Sequence, residues 1–141
     1  MAIVYFHSSA FVQLLVKEEG TALAATLWDG CDAAVSSRLS FSEVCAALAA
    51  AGRAGRLSDA DQRRAEVAWK GYWAAVRPVE LTDAVSAQAG VLAGRHALRG
   101  ADAVHLASLL AVGVSPTVFA VWDEQLRRAA LAVQARLAPV N

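Results

Sequence analysis

Short runs of strand-forming residues alternate along this chain with longer stretches of helical periodicity, and the connections between them are brief. The apolar runs are Ala2 to Phe6, Ala33 to Ser36, Val76 to Leu81, Thr117 to Trp122 and Ala135 to Val140. Neighbouring strands separated by a helix cannot form tight hairpins. They pair in parallel, with the helices packed on the sheet. The pattern predicts an α/β fold of three layers, with a central parallel sheet of about four or five strands and helices on both faces. At 141 residues the chain has the length of one ordinary domain, so residues 1–141 are read as a single unit.

Local signals divide the helices. His7-Ser8-Ser9 offers hydroxyl caps to a helix with Ala10, Phe11, Leu14 and Leu15 on one face. Gly20-Thr21 breaks it, and a second helix is expected to about Trp28. Ser37 is expected to cap a longer helix from Arg38 to about Ala51, ended by Gly52 and Gly55. Ser58-Asp59 opens the next, through Trp69 and Trp73, and Thr82-Asp83 opens one to about Arg95. Gly94 to Gly100 reads as a loop carrying an exposed His96. A further helix starts at Gly100, and Asp123 caps a short final one.

Composition narrows the function classes. With 57% hydrophobic and 18% charged residues, the chain is neither disordered nor a coiled coil. The apolar excess comes from 33 alanines, and the greasiest stretch, Leu106 to Trp122, is interrupted by Ser108, Gly113, Ser115 and Pro116. No membrane span is expected, and no basic segment precedes an apolar core at the N-terminus, so a cytoplasmic location is expected. Thirteen basic residues balance thirteen acidic ones, which argues against a broadly basic nucleic-acid binder. Cys31 and Cys45, fourteen residues apart without a second pair, match neither a zinc nor a redox motif, and two buried reduced thiols are expected.

In open parallel sheets ligands bind beyond the carboxyl ends of the strands. The residues just past the expected strands are His7, Arg38 with Glu43 about one turn into its helix, and Asp123. Asp102 lies in the first turn of its own helix.

Four segments in order resemble the PIN-domain proteins, especially toxins of the VapC type. Tyr5-Phe6-His7-Ser8-Ser9-Ala10-Phe11-Val12 is similar to the family's first strand and helix start. Ser40-Phe41-Ser42-Glu43-Val44 resembles its second acidic position. Leu98 to Ala107, containing Arg99-Gly100-Ala101-Asp102, is the most specific match, and Val118 to Leu126 resembles the last strand and its acid, Asp123. The resemblance implies a divalent-metal-dependent endoribonuclease acting on structured RNA, often tRNA or rRNA. Glu43, Asp102 and Asp123 would be the catalytic acids around Mg²⁺ or Mn²⁺, hard ions that prefer oxygen ligands. It also implies a homodimer and a cognate VapB-like antitoxin that blocks the site.

One position departs from the family: its first Asp is His7 in this chain. An imidazole there removes a negative charge and a hard ligand, weakening Mg²⁺ and favouring softer ions. Three accounts stand side by side: an inactivating exchange that lets a host tolerate the protein, a degenerate toxin that binds its antitoxin without cutting, and a working site in which His7 completes a mixed metal sphere.

Other candidates have weaker signals. Ser9 is placed to hydrogen-bond around the metal, and Arg38 to contact phosphate. His105, three residues past Asp102, is read as packed and hydrogen-bonded rather than as a ligand. Arg53, Arg56, Arg63 and Arg64 read as solvated charge. Trp69 and Trp73, four apart and joined by Trp28 and Leu14, suggest an apolar groove for a second copy or an antitoxin peptide.

Overall fold

The computed structural model describes residues 1–140. Five strands form one fully parallel sheet in the order β3-β2-β1-β4-β5: β1 Ile3–Phe6, β2 Ala33–Ser37, β3 Arg77–Val79, β4 Val118–Ala120 and β5 Arg136–Ala138. Seven helices connect them: α1 Ser8–Leu15, α2 Thr21–Gly30, α3 Ser40–Arg53, α4 Asp59–Ala74, α5 Asp83–His96, α6 Gly100–Val112 and α7 Glu124–Ala132. The expected architecture is the observed one.

Alternation along the strands separates two cores. Tyr5, Val35 and Phe119 face α5, α6 and α7, where Leu92, Leu106, Leu109 and Leu126 meet them. Val4, Phe6, Ala34 and Ala120 face α1, α3 and α4, and there the core is aromatic, built around Phe11 and Trp69. With both faces covered the strands are apolar nearly throughout, as parallel strands must be.

Several local expectations change. Helix α1 is capped by the imidazole of His7, whose Nδ1 accepts the Ser9 backbone N–H, rather than by a serine hydroxyl. Helix α3 begins at Ser40, because Ser37 Oγ accepts the Leu39 N–H and holds Arg38 and Leu39 in a turn. Gly52 lies inside α3. Its missing Cβ leaves room for the Gln62 side chain, and Gly55, at φ 75°, makes the left-handed turn beyond the helix. His96 is the last residue of α5 and half-buried, its Nε2 enclosed without a hydrogen-bond partner. Cys45 is exposed and Cys31 only partly buried, so the thiols are not core residues. No helix among the described residues is long and apolar enough to cross a membrane.

Candidate active site

The strand order reverses direction at β1, which is followed in sequence by β2 on one side and neighboured by β4 on the other. The carboxyl ends of β1 and β4 therefore open the crevice where such folds bind ligands. His7 follows β1 directly and its N–H donates to the Ala120 carbonyl at the end of β4. Trp122 and Asp123 follow β4, and the Trp122 N–H donates to Ser9 Oγ at 2.9 Å, tying the start of α1 to the start of α7. Ser9 thus has a structural partner as well as its place in the cleft. Asp123 caps α7 by accepting the Leu126 N–H.

A cleft of about 380 Å³ opens here, lined by His7, Ser9, Gln13, Glu18, Glu43, Trp122 and Asp123 among others. Asp102, in the first turn of α6, is 5% exposed and lies behind His7. Its Oδ1 stands 3.5 Å from His7 Nε2, too far for a hydrogen bond but close enough for electrostatic contact. Its Oδ2 accepts from Arg99 at 3.1 Å, and the same guanidinium stands 4.0 Å from Asp123. Two carboxylates from different elements therefore flank one cation. The adjoining His7 ring, and after it Arg99, hold the Asp102 carboxyl below its ordinary pKa against the opposing effect of burial.

Glu43 enters from α3 and is oriented from behind. Its Oε1 lies 2.6 Å from Nε2 of the fully buried His105, and His105 Nδ1 lies 2.9 Å from the Tyr5 hydroxyl. Burial holds His105 below its ordinary pKa and pushes that of Tyr5 well up, so both stay uncharged. A carboxylate can only accept, which assigns the ring proton to Nε2 and makes the Tyr5 hydroxyl the donor to Nδ1. The chain Tyr5–His105–Glu43 leaves one Glu43 oxygen uncommitted, with the side chain 29% exposed to the cleft.

His7 obeys a similar constraint. Nδ1 accepts the Ser9 N–H and lies 2.8 Å from Ser9 Oγ. In the neutral ring the proton then sits on Nε2, the buried atom that faces Asp102 without a hydrogen bond. His7 is placed as a donor toward Asp102. Serving as a metal ligand through Nε2 would require it to give up that proton.

The acids suit a hard cation in kind, and two of them already bracket a cation in place. Among the described residues, however, no three His, Cys, Asp or Glu side chains gather into a ready metal cluster, and Arg99 occupies the position between Asp102 and Asp123. Its side chain is 76% exposed and free to swing away.

The comparisons with known proteins agree with the fold. The PIN domain model matches residues 4–132, a span that includes His7 and the three acids Glu43, Asp102 and Asp123. Two relatives from Mycobacterium tuberculosis, Ribonuclease VapC45 of strain CDC 1551 / Oshkosh and Ribonuclease VapC49 of strain ATCC 25618 / H37Rv, are each 58% identical over 141 residues, covering 100% of this chain and 98% of the relative. The chain belongs to the PIN domain family. Within it, the chain is of the VapC ribonuclease kind.

Two expectations for this PIN domain are corrected. Arg38 pairs with Glu80 rather than with the site acids. Its Nε donates to Glu80 at 3.0 Å and its guanidinium lies 5.9 Å from the centre of the Trp73 ring, so Glu80 and Trp73 hold it past the ends of β2 and β3. Trp69 is 1% exposed, so it offers no open ring face and contributes only an edge to a cleft with Cys45, Glu66, Val67 and Lys70. It packs against Phe11, Phe41 and Trp73, and its indole N–H donates to the Phe41 carbonyl. Trp73 remains half-buried beneath Arg38. Leu14 instead lines a cleft of about 490 Å³ between α1 and α4, with Lys17, Arg56 and Tyr72. That cleft is larger than the one at the acids, but its carboxylate, Asp61, is paired with Arg64.

The sequence reading missed Arg99, Tyr5 and the partner of His105. Arg99 lies three residues before Asp102 on one helix entry, a spacing that brings side chains together and was legible. The Tyr5–His105–Glu43 chain joins residues 100 and 62 positions apart, and only the fold brings them together.

Proposed function

We propose that this chain is the toxin of a type II toxin–antitoxin pair, a divalent-metal-dependent endoribonuclease that cleaves structured RNA, tRNA or rRNA. Membership of the PIN domain family and the likeness to two ribonucleases support the general reading. The observation that carries it to this site is the pair Asp102 and Asp123, which flank a single cation at the carboxyl ends of β1 and β4.

In this reading Asp102, Asp123 and Glu43 hold Mg²⁺ or Mn²⁺ in the place where Arg99 now stands. Such an ion, when bound, makes hydroxide available near neutral pH and offsets the charge of the reacting phosphate. His7, at the fourth family position, keeps its Nε2 in electrostatic contact with Asp102 at 3.5 Å. His105 and Tyr5 keep one oxygen of Glu43 fixed and the other free. Arg99, once released from the acids, is free to pair with the phosphodiester, a contact suited to its planar fork. The toxin works in the cytoplasm as a homodimer, and a VapB-like antitoxin covers the cleft.

His7 itself favours a second reading, a catalytically inactive PIN-fold protein that still binds its antitoxin. A neutral ring beside Asp102 offers less to a hard ion than the carboxylate it replaces. Cleavage of total tRNA and rRNA with Mg²⁺ and with Mn²⁺, by this chain and by His7→Asp, separates the two. Cleavage by both that disappears in Asp102→Asn supports the working site, and cleavage by His7→Asp alone supports the inactive form. No cleavage by either rejects the enzyme.

A further inference from the structure

Of the four tryptophans, Trp28, Trp69 and Trp73 are each packed against other aromatic rings. Trp122 alone has no aromatic neighbour among the described residues, although it is only half-buried and stands one residue before Asp123. With Gln13 and Glu18 it forms the wall shared by two adjoining clefts. One is the acid-bearing cleft. The other, about 480 Å³, is lined by Gln13, Glu18, Gly20, Leu23 and Pro139.

The position of the indole is built. Ser9 Oγ holds its backbone N–H, and a Cβ on Gly20 would come within 2.6 Å of the indole Nε1 and of Gln13 Oε1, so only glycine lets the ring edge and the amide settle there. Gln13 is itself pinned, donating to Glu18 Oε2 at 2.7 Å and accepting the Gly20 N–H at 3.0 Å. The second cleft thus presents a fixed aromatic ring, the apolar side chains of Leu23 and Pro139 and the carboxylates of Glu18 and Glu19, with no basic residue along its lining. Such a surface repels phosphate. It suits an uncharged flat ring with amine donors on its edge, since base–aromatic stacking tolerates any base and carboxylates accept from exocyclic amines.

We propose that Trp122 and this second cleft form a subsite for one unpaired nucleobase next to the phosphate that a metal at Asp102 and Asp123 would receive. The base stacks on the indole, and its amine edge meets the Gln13–Glu18 pair. This rests on the ribonuclease reading and adds a binding contact that does not involve the acids.

The test is binding of a short fluorescein-labelled oligoadenylate to the full chain in EDTA, followed by anisotropy, beside an abasic ribose-phosphate oligomer of equal length. Trp122→Leu keeps apolar bulk without a π-face, and Trp122→Phe keeps a smaller ring. Thermal melting of each variant checks the fold. Trp122→Leu should weaken oligoadenylate binding about five- to a hundredfold, the range of one lost stacking contact. Trp122→Phe should recover most of it, and the abasic oligomer should bind alike to all three proteins. Equal oligoadenylate affinities across the three, or the same loss with the abasic oligomer, would overturn the subsite while leaving the ribonuclease reading intact. No binding of either oligomer by the unaltered chain would also overturn the subsite, while the cleavage assay with Mg²⁺ and Mn²⁺ decides the ribonuclease reading by itself.

Discussion

Two clusters in this molecule carry the residues that stand out in its sequence, and they have opposite fates. The aromatic cluster of Phe11, Phe41, Trp69 and Trp73 closes on itself. Its rings stack or tilt together at centroid distances of 4.8 to 6.1 Å, and Arg38 covers its outer edge. The acidic cluster stays open. Each carboxylate is held on one side, by His7 and Arg99 or by His105, and Glu43 and Asp123 keep about a third of their side chains exposed to a cleft. Apolar surface is stabilised by being covered, so a neighbouring helix tends to complete the job. Like charges resist closure, and the fold leaves them facing water with partial compensation.

The sharpest way to break this contrast is to remove a ring from the closed cluster. Trp69→Ala should cost about 3–5 kcal/mol of stability in urea denaturation, as expected for a large buried ring, while the half-buried Trp73→Ala costs distinctly less. Similar losses for the two would mean that the cluster is open where it is described as closed.

In the open cluster the corresponding change acts on function before stability. His105→Leu strands the Tyr5 hydroxyl and frees Glu43, and cleavage should fall about ten- to a hundredfold, the scale typical of losing the group that orients a ligand. His105→Gln, whose amide can still donate to Glu43, should restore part of the rate. Equal losses in both variants would show that the ring is needed only for packing.

Acid should act on the open cluster in two stages. His105 is held below its ordinary 6.5 in the fold, so as pH falls below 6.5 the unfolded chain takes up a proton that the folded chain resists, and stability declines. Asp102 is held below 3.8, and the unfolded chain again binds the proton first, adding a second decline below that pH. Denaturation midpoints measured from pH 8 downward check both. In His105→Gln the first decline should shrink.

The smallest effect is expected at the outer edge. Arg38 and Glu80 form a pair about half exposed to solvent, and Arg38→Ala should leave both melting temperature and RNA cleavage unchanged within error. A marked loss of cleavage would return Arg38 to the substrate path.

The sequence shows the sheet clearly because each strand is a separate apolar run with its own helix, and period alone identifies both. The acids were legible because three of the four relevant positions follow a strand or open a helix. The aromatic pair misled because a four-residue spacing shows which rings share a face and says nothing of whether a helix covers that face. Phe41 and Arg38, which cover it, lie about thirty residues upstream. His105 was read correctly as packed and hydrogen-bonded, but its partner Glu43 comes from another helix, and no local pattern encodes that pairing.

The place held by Arg99 between Asp102 and Asp123 decides where a metal would sit. Calorimetric titration of Mn²⁺ into the chain, into Asp102→Asn and into Arg99→Gln tests it without relying on turnover. If that place is the metal site, Asp102→Asn weakens binding by at least the roughly ten- to hundredfold that losing a supporting group costs, and Arg99→Gln, lacking the competing cation, binds Mn²⁺ more tightly than the unaltered chain. Unchanged affinity in Asp102→Asn, or weaker binding in Arg99→Gln, would contradict it.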